Sequence, residues 1–190
     1  MNTTFWTFKK GLMKNPLLVE KPDIVVIPDA DYFVFKYGFY DGRDLDTFTE
    51  LLSPVNEKPL GYSQIGNNTI NIYSKWGGDN TGTGVETILI DVKKIKEDFP
   101  NNDVIEFRCG ANWYGSRVSG NVTMNAFIYK GGVMSISNYD FINTGGNLIS
   151  QFNFPTVNVT LNQPGSAPLA SETVGVFRYT ISTGILEKIS

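Results

Sequence analysis

Two short stretches carry the residues best suited to chemistry. One is Asp44-Leu45-Asp46; the other runs Gly78-Asp79-Asn80-Thr81-Gly82-Thr83-Gly84-Val85-Glu86. Both place carboxylate and carbonyl oxygens on loops beside β-like runs. Ca²⁺ takes roughly 6–8 such oxygens, whereas transition metals favour His or Cys. The chain has no His and one Cys, so an oxygen-ligated cation is the metal chemistry it supports. If Leu45 points into a core, Asp44 and Asp46 share the opposite face of a strand, since side chains alternate with period two. Two such carboxylates repel each other unless a cation lies between them, or unless Arg43 supplies the counter-charge. In the second stretch, Gly77, Gly78, Gly82 and Gly84 let the loop curl so that carbonyls converge. Asp79, Asn80 and Glu86 add side-chain oxygens. An ordinary turn-rich hairpin loop is the plainer reading, but it needs no acidic residue at each end.

Other chemistries have less to stand on. Without His there is no Ser-His-Asp or Cys-His arrangement. A carboxylate pair could cleave glycosides, with Glu50, Glu86 and Glu106 as nominal candidates, but their spacing is not specific. The glycine-rich stretch lacks the Gly-Lys-Ser/Thr of a phosphate-binding loop. The expectation is a protein that is not an enzyme. Trp76, Trp113 and Tyr114 sit in Gly/Asn-rich surroundings and suit glycan contact, with Trp113 and Tyr114 the pair of interest; the plainer alternative has them filling a core or bracing a loop.

The elements that must position these residues read as strands. Tyr32 to Tyr40 is too short and too aromatic for a globular helix. Further strands are expected at Ile24 to Ile27, Thr47 to Leu52, Leu60 to Gln64, Thr69 to Lys75, Glu86 to Asp91, Val104 to Ala111, Asn121 to Lys130, Val133 to Ser137, Val157 to Leu161 and Val174 to Ile181. Turn signals such as Asn67-Asn68, Gly131-Gly132 and Gly145-Gly146 separate them. Val92, Ile95 and Phe99 predict one short helix closed by Pro100. Short strands at this spacing predict an all-β, antiparallel β-sandwich. The organisation expected is an N-terminal arm over 1–22, a sandwich core over 23–137, and a loop-rich C-terminal extension over 138–190 whose strands pack on the core or on a neighbour.

Length and charge limit the partners. The chain has 190 residues, 41% hydrophobic and 18% charged, enough for one buried core. A net charge of −3 argues against a nucleic-acid surface, and no apolar run approaches the ~20 residues of a membrane-spanning helix. The first residues lack the apolar core of a secretory signal, so synthesis in the cytoplasm is expected. The lone Cys109 lies in a strand-like run and is expected to be a buried thiol.

Taken together, the two acidic stretches resemble the TerD-like family of calcium-binding β-sandwich proteins linked to tellurite resistance and stress. The resemblance spans roughly residues 32–135. It lies in Asp44-Leu45-Asp46, in the loop Gly78 to Gly84, in the strand Glu86-Thr87-Ile88-Leu89-Ile90-Asp91, and in the later runs Val104 to Ala111 and Gly120 to Tyr129. The family implies Asp44, Asp46, Asp79 and Glu86 as Ca²⁺ ligands, with Asn80 and Asp41 as further donors and backbone carbonyls near Gly82 and Gly84. Val85 stands where the family has a second acid, which implies one calcium and puts a second in doubt.

The texture of the whole chain, rich in Asn, Thr, Gly and aromatics, resembles accessory and decoration proteins of tailed-bacteriophage particles. An arm with Phe5, Trp6 and Phe8 followed by Lys9 and Lys10 suits docking onto protein subunits of a larger lattice. The expected function is therefore a calcium-stabilised structural protein of a virion, an auxiliary capsid or decoration component. The alternatives are a cytoplasmic TerD-like stress protein and a carbohydrate-binding module.

Overall fold

The computed structural model describes residues 24–27, 29–39, 44–62, 71–82, 84–115, 119–160 and 172–190. Two antiparallel sheets face each other across one core. The first runs β1 (Ile24–Val26), β14 (Ile185–Lys188), β13 (Glu172–Thr180), β7 (Val104–Trp113), β3 (Leu45–Ser53) and β4 (Leu60–Gly61). The second runs β11 (Asn147–Asn153), β8 (Gly120–Lys130), β2 (Tyr32–Phe39), β6 (Gly84–Asp91) and β5 (Ser74–Trp76), with β12 (Val157–Val159) also paired to β8. The expected sandwich is present.

Period-two alternation builds the core. On β7, Ile105, Phe107, Cys109, Ala111 and Trp113 point inward. On β2, Phe33, Phe35, Tyr37 and Phe39 meet them from the other sheet. Phe35, Phe107, Phe154 and Phe177 pack ring to ring, with centroids 4.8–5.4 Å apart for Phe154–Phe177, Phe35–Phe107, Phe35–Phe177 and Phe107–Phe177. Such offset and tilted contacts add to the area burial of the rings. Cys109 is the buried thiol expected, pushed up to about 12 by burial.

Several boundaries differ from the sequence expectation. The helix α1 (Val92–Asp98) forms where predicted, capped by the Asp91 carboxylate, which accepts from the Lys94 N–H at 2.9 Å. The stretch from 138 onward, expected to be loop-dominated, contains β10 (Asp140–Thr144) and β11, while β12 forms within the strand expected at Val157 to Leu161. Its Asn and Ser residues lie on half-exposed strands, where polar side chains face water and hide the alternation. β9 (Val133–Ser137) and β10 form a hairpin whose Met134 and Phe141 cover Val34 and Leu89, on the outer side of the second sheet. β13 and β14 lie inside the first sheet, so residues 172–190 complete the sandwich. The N-terminal arm lies outside the described residues.

Candidate metal centre

Asp46 lies on β3, and Asp44 immediately precedes the strand. Leu45 and Leu51 point into the core, so Asp44 and Asp46 share the other face. Cross-strand register sets Asp46 opposite Asn112 on β7, and Asn112 Nδ2 donates to Asp46 Oδ2 at 3.2 Å. Just beyond the end of the ladder, the Tyr114 N–H donates to the Asp44 carbonyl at 3.1 Å.

The third acid comes from the other sheet. The segment between β5 and β6 bends around so that Asp79 approaches β3. One carboxylate oxygen from each of Asp44, Asp46 and Asp79 lies within 4.8 Å of the other two. With calcium–oxygen bonds of about 2.3–2.6 Å, ligands on opposite sides of an ion stand about 5 Å apart, so these groups are already at coordinating separation. The Oδ1 atom of each is shielded from solvent and has no hydrogen-bond partner among the described residues. Asp46 is only 1% exposed. No Lys or Arg among the described residues pairs with any of the three.

The electrostatics follow from burial. Asp46 is pushed up to about 7 by desolvation and then by Asp44 and Asp79, against the Asn112 hydrogen bond. Asp44 rises to about 6, through burial and then the Asp79 charge. Burial also raises Asp79. A buried, uncompensated carboxylate costs free energy that a bound divalent cation removes. The donor set is all hard oxygen, which suits Ca²⁺ or Mg²⁺ and not a thiolate- or imidazole-seeking metal.

Glu86 and Asn80 hold the loop and stand outside this triad. Glu86 is 0% exposed; its Oε1 accepts the Asn80 N–H at 3.0 Å and its Oε2 accepts from Thr47 Oγ1. Burial raises Glu86 well above the usual carboxylate range, with the Thr47 hydroxyl and the Asn80 N–H pulling the other way. Trp76 Nε1 donates to the same Thr47 hydroxyl at 3.2 Å, closing a chain from β5 through β3 to β6. Asn80 spends its Oδ1 on the Gly82 N–H at 3.2 Å. Both residues were expected as ligands; they brace the segment that delivers Asp79. The reason is the strand register: Glu86 points between the sheets, toward Thr47, whereas Asp44 and Asp46 lie on the other face of β3. Asp41 lies outside the described residues.

Trp113 is a correction. It is 0% exposed, packs edge-on against Phe39 and donates its Nε1–H to the Val159 carbonyl at 3.0 Å, so its indole offers no face to a sugar. Trp76 is likewise buried. Tyr114, one position on, is 46% exposed and pairs edge-to-face with Tyr62 at 6.5 Å between centroids. Phe5, Trp6 and Phe8 lie outside the described residues. Asn112, Thr47 and Tyr62 escaped the sequence reading. Asn112 and Thr47 become visible only once β3 is paired with β7 and faced by β6; nothing local marks Tyr62. No helix among the described residues is long and apolar enough to cross a membrane. No protein-family model, no curated protein and no solved structure matches this chain.

Proposed function

We propose that the chain is a non-enzymatic β-sandwich clamped by one Ca²⁺ at Asp44, Asp46 and Asp79, and that it serves as a structural subunit of a larger assembly. The observation that carries the cation is the buried Asp46, whose Oδ1 has no hydrogen-bond partner and whose carboxylate lies beside two others with no counter-charge among the described residues. The assembly is supported by exposed apolar side chains on three consecutive strands, Val133, Ile136, Ile142, Leu148 and Ile149. Together with the chain's composition and aromatic N-terminal segment, they favour an auxiliary capsid or decoration protein of a bacteriophage virion.

A TerD-like stress protein is the second reading. The approach of Asp79 to Asp44-Leu45-Asp46 favours it, because those are the positions the family resemblance implies as ligands. The two readings share the cation and differ in the partner. Size-exclusion chromatography and electron microscopy separate them: a protein that stays a free monomer, encoded beside tellurite-resistance genes, overturns the virion reading.

The cation is tested by thermal unfolding. At 100 times its Kd, a ligand bound only to the folded state stabilises it by about 2.7 kcal/mol. For a domain of this size that is roughly 5–10 °C in Tm. Asp44→Ala or Asp79→Ala removes most of the gain. A melting curve indifferent to Ca²⁺ and to chelator overturns the proposal.

A further inference from the structure

Two aromatic rings stand at the rim of the acidic triad. The Tyr114 N–H bonds the Asp44 carbonyl at 3.1 Å, which places that residue next to the carboxylates. Tyr62 follows β4, which pairs with β3 at Phe48 and Thr49, and so stands on the other flank. The two rings meet edge to face, and Tyr114 remains 46% exposed. Asp46 is enclosed, whereas Asp44 and Asp79 are half-buried, so solvent reaches the triad past Asp44 and Asp79.

We infer that this site, once it holds Ca²⁺, binds a neutral carbohydrate, with vicinal hydroxyls on the ion and the sugar ring against Tyr114 and Tyr62. The inference rests on the cation reading above and names a ligand for the same centre. Three carboxylates fall short of the roughly 6–8 oxygens that Ca²⁺ takes, and water or ligand hydroxyls supply the remainder. Charge selects the ligand. Three carboxylates around one divalent ion sum to a net charge of about −1, which disfavours carboxylated, sulfated and phosphorylated glycans. Neutral hydroxyl oxygens are not disfavoured. Sugars also present C–H faces to aromatic rings, and tyrosine combines an apolar face with a polar tip. Tyr114 was expected as a glycan contact beside Trp113; with Trp113 in the core, Tyr62 takes its place.

The test uses the full chain on immobilised mannan, galactan, dextran and chitin oligomers, with heparin and polysialic acid as anionic controls, in Ca²⁺ and in EDTA. The expected result is retention on at least one neutral glycan, reduced tenfold or more by EDTA and by Tyr114→Ala, and kept by Tyr114→Phe. The Ca²⁺-dependent rise in Tm persists in both Tyr114 variants. A second measurement does not depend on those variants. Tb³⁺ in the site is excited through the tyrosines, and the retained sugar lengthens its luminescence lifetime by displacing coordinated water. Three results overturn the inference while leaving the cation reading intact: a Ca²⁺-raised Tm with no neutral glycan retained, retention indifferent to EDTA, or preference for the anionic controls. No Ca²⁺ effect on Tm overturns both.

Discussion

Asp46 is the most tightly enclosed acid of the triad, and its ionisation contributes to how the ion-free protein responds to pH. Asp46 stands at about 7 and Asp44 at about 6 in the folded chain, against an ordinary value of 3.8. Between those limits the folded state holds protons that the unfolded state has released. The stability that these two groups contribute to the ion-free protein therefore falls as pH rises from about 4 to about 7, and Asp79 and Glu86, also raised by burial, act in the same direction. Discounted for solvent screening at the half-exposed Asp44, the Asp44 and Asp46 shifts are expected to make the free energy of urea unfolding in chelator about 2–4 kcal/mol lower at pH 8 than at pH 4.5. The proposed Ca²⁺ gain is expected to have the opposite sense, because only ionised carboxylates bind the ion: largest above pH 7 and fading as pH drops through 6. Asp46→Asn removes the charge and can keep an acceptor for Asn112. It is expected to raise stability in chelator at pH 8 by about 1–2 kcal/mol and to abolish most of the Ca²⁺ gain, both read from denaturant midpoints with and without the ion.

The elements around the triad meet at Thr47. Its hydroxyl accepts from Trp76 Nε1 and donates to Glu86, so β5, β3 and β6 are tied together behind the segment that carries Asp79. Thr47→Val leaves a buried indole N–H and a buried carboxyl without that partner, at a cost of about 1–3 kcal/mol. It is also expected to weaken Ca²⁺ several-fold, measured by titration calorimetry, because Asp79 loses its rigid backing. Retained affinity in a destabilised variant would show that Asp79 is positioned without this chain. Gly61 makes a second close approach: its φ of +141° and its contact with the Thr47 carbonyl leave no room for a Cβ, which lets β4 lie tightly on β3 and place Tyr62.

The whole molecule depends on strands far apart in the chain. β13 lies between β7 and β14 and supplies Val174, Phe177 and Tyr179 to the core. A chain ending at 171 therefore exposes the inner edge of β7 and loses Phe177 from the aromatic cluster. It is expected to lose near-UV dichroism and cooperative unfolding, whereas a chain with 172–190 intact keeps both. This was hidden in the sequence because sheet order depends on which strand completes the core, and alternation alone does not say which strands are neighbours. The same limit hid β10 and β11, where Asn and Ser on half-exposed faces blur the period. The strong aromatic runs at β2 and β7 were legible because both carry a continuous inward set.

Residue type and period two, read from the chain alone, determined a hard-oxygen donor set, an all-β antiparallel sandwich, and a shared face for Asp44 and Asp46. Each of these is local: ligand softness belongs to the atom, and alternation belongs to the strand. Only the tertiary structure decided that Asp79 joins that face while Glu86 turns inward to Thr47, that Asn80 braces its own loop, and that Trp113 is core while Tyr62 stands at the rim. Those outcomes depend on how two sheets stack and how one segment bends between them, and convergence through space is not encoded in spacing along the chain.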